Sequence, residues 1–121
     1  MGRVYINEFS IIKFGNYKDV PIDQLALLTL TKLFKEHIEV MREIEAIYVS
    51  NAYGGSVLGQ RILRKLNLTG KPIYNVQNAC ASGGTALNLA YQSVVSEQFQ
   101  TVLVLGVEKL SAAPKGPLRL N

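Results

Sequence analysis

The chain has 121 residues, 48% of them hydrophobic and 18% charged, with six tyrosines and four phenylalanines. That size fits one compact domain, and that balance excludes a disordered tail or a collagen-like rod, whose compositions cannot fill a core. No stretch reaches the roughly 18 uncharged apolar residues of a spanning helix. Met1-Gly2-Arg3 leads into Glu8 rather than into a signal-type apolar run, so a cytoplasmic address with no membrane contact is expected. Thirteen Lys+Arg against nine Asp+Glu give +4. The excess lies in 46–96, which contain Arg61, Arg64, Lys65 and Lys71 and no acid. A nucleic-acid footprint wants a denser basic stripe interleaved with aromatics, so no nucleic-acid partner is expected, although a looser phosphate-bearing partner stays open.

In chain order, Val4-Tyr5-Ile6 reads as a short opening strand, and Phe14-Gly15-Asn16 as a loop with turn chemistry. Ile22, Leu25, Ala26, Thr29, Leu30, Leu33, Phe34 and His37 then recur at three- and four-residue spacing, predicting an amphipathic helix with Pro21 and Asp23 suited to its start. Residues 44–49 have the β-branched and aromatic content of a strand and close at Ser50-Asn51 and the Gly54-Gly55 pair. Ser56 is positioned to cap a helix running to Leu66 and ended by Asn67 and Gly70. Residues 73–77 form a third predicted strand, and a helix follows at once. Residues 72–96 make 25 positions without a charge. Ala86, Leu87, Ala90, Tyr91, Val94 and Val95 coat most of the wheel, which predicts a helix buried nearly all round. Residues 101–107 are the continuous apolar run of a strand covered on both faces, and 112–121 read as loop or linker after a domain of 1–111. The alternation predicts an α/β fold, a mostly parallel sheet with helices on both faces joined by right-handed crossovers.

In such sheets sites form where strands end and helices begin. Asn78-Ala79-Cys80-Ala81-Ser82-Gly83-Gly84 puts the single cysteine there, among small residues that permit close backbone approach. Unpaired N–H groups and the positive end of a helix dipole favour a thiolate and can hold an oxyanion. On position alone, a packed small hydrophobe is an equally good reading of Cys80. Gly83 and Gly84 are expected at a buried helix start with no room for added methyls. Gly54-Gly55-Ser56 lacks the Lys-Ser/Thr ending of a phosphate loop and reads as a turn. Glu108 reads as fixing a turn, His37 as structural or surface, and Tyr53 and Tyr91 as core or interface.

The segment from Asn75 to Leu87, with Cys80 in its middle, resembles the nucleophile segment of the thiolase superfamily. Val102-Leu103-Val104-Leu105-Gly106-Val107-Glu108-Lys109-Leu110-Ser111 resembles its following strand, and Phe14-Gly15 falls where the family has an early Phe-Gly. The chain is most similar to the N-terminal half of lipid-transfer-type and archaeal acetyl-CoA acetyltransferase-like members. The resemblance implies one half of a thiolase-like fold, in which Cys80 takes an acyl group from coenzyme A as a thioester and its backbone N–H lies in an oxyanion hole. The implied reaction is thiolysis of a 3-oxoacyl-CoA or condensation of two acyl-CoAs. The acyl-CoA is then a substrate; no bound cofactor or metal is expected, and no coenzyme A contact is assigned.

Two departures stand out: Ile6-Asn7-Glu8-Phe9 replaces a glycine-rich first strand, and Glu97-Gln98 replaces an Ala-Gly. The family's activating histidine, second cysteine and most of its coenzyme A loop have no counterpart in this sequence. The expected partners are therefore a second copy of the chain and either a C-terminal thiolase-like half or an accessory acyl-CoA-binding protein. The resemblance further implies that residues 73–77 lie near a subunit contact. Competing readings are a non-catalytic docking subunit on the same half-fold, and an aldolase or ketosynthase relative.

Overall fold

The structure, a computed structural model, describes residues 2–110; the predicted linker 112–121 lies outside them. Three parallel strands, β1 (Ala46–Ser50), β2 (Ile73–Val76) and β3 (Val102–Gly106), form a sheet in the order β2-β1-β3. Ile47 pairs with Ile73 on one side of β1 and with Leu103 on the other. The helices are α1 (Ile22–Glu36), α2 (Ile38–Glu43), α3 (Leu58–Leu63), extended by a 3-10 turn over Arg64–Leu66, and α4 (Ser82–Val95).

Period-two alternation in β1 divides the interior. Ile47 and Val49 face a large core with Leu103 and Leu105, filled by Leu25, Leu30, Leu33 and Phe34 of α1 and Leu58, Ile62 and Leu63 of α3. Ala46 and Tyr48 face the other way, onto Ala86 and Ala90 of α4 and Val76 of β2. All five residues of β1 are buried, as a central strand covered on both faces requires. The chain leaves β1 through α3 to β2 on one flank, then through α4 to β3 on the opposite flank. Reversing direction while keeping one crossover hand puts α3 and α4 on opposite faces, as observed. The predicted α/β class and its double-faced cover therefore hold.

Three local expectations do not, and one helix comes unannounced. Val4-Tyr5-Ile6 forms no strand: the segment is irregular, with Tyr5 and Ile6 exposed, because three residues supply too few ladder hydrogen bonds to hold an edge. The helix predicted from Ser56 starts later, after Val57, which adopts φ 50° and caps nothing with its side chain. A β-branched residue in the left-handed region is strained, and the helix begins only beyond it. The helix α2 was not expected; a single residue, His37, separates it from α1. Finally, α4 is not buried all round in this chain. Its sheet-facing stripe is Ser82, Ala86, Ala90 and Ser93, whereas Leu87 and Tyr91 are each 51% exposed. Small side chains let the helix sit close to the sheet, so the bulky apolar residues are the ones left outside.

One ion pair joins α1 to the turn after α3, with Lys65 Nζ 2.7 Å from Asp23 Oδ2. The hydrogen bond from Lys65 is the chief cause that holds the Asp23 carboxyl below its usual 3.8, with the Coulomb attraction of the same ammonium adding to it and burial opposing. Because the folded value is depressed, the stabilisation is present above the unfolded value and disappears as pH falls through the folded one. In urea melts between about pH 5 and pH 2, Lys65→Met is expected to flatten part of the acid-side loss of stability seen in the parent chain. Identical acid slopes for the two proteins would show that the pair contributes nothing.

Candidate active site

The carboxyl ends of β1 and β3 open onto a cleft of about 930 Å³ whose lining is mostly apolar. Its walls come from three places: the segment 12–17 with Leu25, Ala26 and Thr29 of α1; residues 50–53 at the end of β1 and beyond it; and residues 106–110 at the end of β3 and beyond it. Ala79, Cys80, Ser82 and Gly83 close one side. The cleft thus lies at the point where the chain's crossovers part to opposite sides of β1, where open α/β sheets bind ligands.

Cys80 is a free, exposed thiol two residues before α4. The turn that presents it is tightly fixed. Ala79 has φ 47°, a left-handed conformation that costs an alanine free energy and survives only where neighbours enforce it. The enforcing group is Ser82, whose hydroxyl accepts from the Asn78 N–H at 2.7 Å and donates to the Ala79 carbonyl at 2.7 Å. Asn78 Nδ2 donates to Thr85 Oγ1 at 3.0 Å, and the Ala79 N–H donates to Gln77 Oε1 at 3.0 Å. Every side chain in this network is uncharged. The turn leads into the 14-residue α4, and the first N–H groups and dipole of a helix favour negative charge nearby.

The remaining predicted residues separate cleanly. Glu108 lines the cleft and accepts hydrogen bonds from the Ala52 N–H (2.6 Å) and the Tyr53 N–H (3.3 Å), the turn-fixing part expected of it. Tyr53 is half-buried in the cleft wall, while Tyr91 is exposed on α4 and so is not a core residue of this chain. His37 lies outside the cleft and pairs through Nε2 with Glu8 Oε2 at 3.0 Å, pinning the N-terminal segment to the α1–α2 corner. Gly54-Gly55-Ser56 is a turn closed by Asn51, whose Oδ1 accepts from the Gly54 N–H at 2.8 Å, and by Arg61, which donates to the Gly54 carbonyl. A Cβ on Gly54 would lie 2.5 Å from Leu58 Cδ2, so close packing demands this glycine.

Gly83 and Gly84 correct another expectation. A Cβ on Gly84 meets nothing within 4 Å and one on Gly83 only Ser50 Oγ at 4.0 Å, so neither is required here by packing. Sequence reasoning also missed Ser82 and Lys109. A serine at a helix start is a signal for backbone bonding. A lysine directly after a buried strand signals little until the loop it reaches is known. Among the described residues no three His, Cys, Asp or Glu side chains cluster as metal ligands would, and no helix is long and apolar enough to cross a membrane.

An exposed thiol on a strand-to-helix turn, at the carboxyl edge of a parallel sheet covered on both faces, defines an α/β protein with a free cysteine at an elbow. The family described as thiolase, N-terminal domain, matches residues 4–119, and the chain belongs to that family. It is 42% identical over 112 residues to non-specific lipid-transfer protein-like 2 of Caenorhabditis elegans, covering 90% of this chain and 27% of that protein. It is 45% identical over 120 residues to sterol carrier protein 2 of Rattus norvegicus, covering 94% and 22%. With benzoylsuccinyl-CoA thiolase subunit BbsB of Thauera aromatica the identity is 32% over 108 residues, covering 88% and 28%. The chain thus spans about a quarter of the length of these relatives. The fold is also that of 3-oxoacyl-[acyl-carrier-protein] synthase III from Aquifex aeolicus, with a TM-score of 0.72 at 23% identity over 81% of this chain and 33% of that one.

Proposed function

We propose that this chain is the cysteine-bearing part of a thiolase-type acyltransferase acting on acyl-CoA thioesters. The observation that carries the reading is the placement of Cys80, exposed at the start of α4 and facing an apolar cleft. The Cys80 thiolate attacks the thioester carbonyl carbon, and the resulting oxyanion is held by backbone N–H groups at the helix start, that of Cys80 among them. Collapse breaks the bond to the coenzyme A sulfur, which leaves with the proton that Cys80 gave up, and the acyl group stays on Sγ. In condensation a second step hands the acyl group to the carbanion of a second acyl-CoA, forming the carbon–carbon bond; in thiolysis Cys80 instead attacks the 3-oxo carbon of a 3-oxoacyl-CoA, the acyl-CoA carbanion leaves and is protonated, and coenzyme A then takes the acyl group from Sγ.

The base for that second step has to come from outside the described residues, since the one histidine is engaged with Glu8 away from the cleft. A second copy of the chain and a C-terminal thiolase-like half, or an accessory acyl-CoA-binding protein, are the proposed suppliers and cover. The exposed Leu87 and Tyr91 of α4 support this, because large apolar patches mark contact surfaces. The reading keeps the cytoplasmic address expected from the sequence. The test is to incubate the full chain, with its own cell extract as the source of partners, with isotopically labelled acetyl-CoA and map the label. One acetyl group on the Cys80 peptide, released by hydroxylamine, is the expected result; label elsewhere or nowhere overturns the proposal.

A further inference from the structure

The segment after β3 carries two charged side chains in succession, and they reach two different stretches of chain at the cleft: Glu108 the lining residues after β1, Lys109 the turn that follows the lining segment 12–17. Glu108 takes the N–H groups of Ala52 and Tyr53 after β1, as described above. Lys109 donates through Nζ to the Lys18 carbonyl at 3.0 Å and to the Val20 carbonyl at 2.6 Å, in the turn that enters α1. Those carbonyls lie immediately behind the lining stretch 12–17, whose own tie is a hydrogen bond from the Tyr17 hydroxyl to the Lys13 carbonyl.

Residues 12–17 and 51–53 of these walls lie in no helix or strand, so no periodic backbone ladder fixes them. Glu108 and Lys109 follow closely on β3, which is paired with β1 along its whole length, so both side chains start from a backbone held by the sheet. A carboxylate facing two amides, and an ammonium facing two carbonyls, are charge-assisted contacts with well-defined directions.

We propose that Glu108 and Lys109 together form a strap that sets the spacing of the two cleft walls over Cys80, which makes Glu108 a positioning residue for the acyl group that Cys80 receives. This rests on the acyl-transfer reading and deepens it, because it assigns the geometry of the acyl site to two residues that touch no reacting atom. Glutamine at 108 keeps the size but turns one acceptor into an N–H₂ that faces an N–H donor. Methionine at 109 keeps the stem and removes every donor.

The experiment compares alkylation of Cys80 in the full chain by iodoacetamide and by its N-octyl analogue. In the parent protein the octyl probe is expected to react faster, because the cleft holds its chain. In Glu108→Gln and in Lys109→Met that advantage is expected to fall on the order of tenfold or more, as a displacement of about 1 Å in a positioned group can cause, while the iodoacetamide rate changes less than about twofold. Glu108→Asp, which keeps the charge, is expected to restore part of the advantage. Ile62→Val, in the core of α3, serves as the control for lost stability alone and is expected to lower the melting temperature while leaving the ratio unchanged.

An advantage retained in both strap variants overturns the inference, as does its loss in Ile62→Val. If one strap variant fails to fold, the other decides. A parent chain that shows no octyl preference overturns the strap together with the acyl cleft. A parent chain with an octyl preference but no acetyl transfer from acetyl-CoA overturns only the acyl-transfer reading.

Discussion

Cys80→Ala is expected to abolish the acyl transfer proposed for this chain and its partners, with a loss of roughly 10⁴-fold or more, the scale seen when a covalent nucleophile is removed. The reason is chemical, since no other thiol exists in the chain and the serines nearby are occupied: Ser82 holds the turn through both its donor and its acceptor. The same variant separates catalysis from docking. If the chain were a non-catalytic subunit, assembly would form and work as well with alanine as with cysteine. Cys80→Ser is the companion, because it preserves volume and a hydrogen-bonding group while replacing the thiolate with a far weaker nucleophile. Steady-state rates of parent, alanine and serine proteins, each checked for assembly by light scattering, decide it. Full activity in the alanine protein would end the nucleophile role.

Gly59→Val is expected to have the largest effect on stability. Gly59 lies on α3 where the helix meets the sheet, and a Cβ there would lie 2.7 Å from Ile73 Cγ2, 2.8 Å from Asn75 Oδ1 and 3.0 Å from Val49 Cγ2. Two of these neighbours are packed in the core, and the third accepts the Gly59 N–H at 2.7 Å, so none can retreat without losing a contact. Overpacking of this kind costs about 1–3 kcal/mol, and valine adds two further methyls to the clash. For a domain of this size that corresponds to a fall in Tm of about 4 °C per kcal/mol. Gly84→Val, where space is open, is the contrasting variant and is expected to lose only the part due to helix propensity. Equal melting temperatures for the two valine variants would contradict the packing described for α3.

The glycine comparison also marks what could be read from the sequence and what could not. The α1 stripe, the three strands and the strand-to-helix turn at Cys80 all follow from local patterning, and each was legible. Which glycines are packed depends on the opposite element: Gly59 is confined by Ile73 and Asn75, which arrive from another strand, and nothing in the residues around it announces them. The burial of α4 was misread for a related reason. Its leucines and tyrosine outweigh its alanines in any hydropathy pattern, yet a helix close to a sheet presents its smallest residues. At the site, the cysteine was visible as a lone reactive type in a run of small residues. Glu108 was legible as a turn-fixing group, but Lys109 acts on carbonyls far back in the chain, a contact no local pattern encodes.

The strand order β2-β1-β3 sets a schedule for folding on the ribosome. The central strand is made first, and its two neighbours arrive later: Ile47 waits for Ile73 on one side, and Ala46 for Val102 on the other. During synthesis β1 is therefore an apolar strand with open edges, and after β2 docks one edge stays open until α4 has been made as well. Sheets closed only by distant segments fold slowly and leave edges that can pair with other chains. A nascent chain halted before residue 102 would hold all four helices and two of the three strands, with Tyr48 and Val49 unpaired on one side, an exposed edge of the kind chaperones guard.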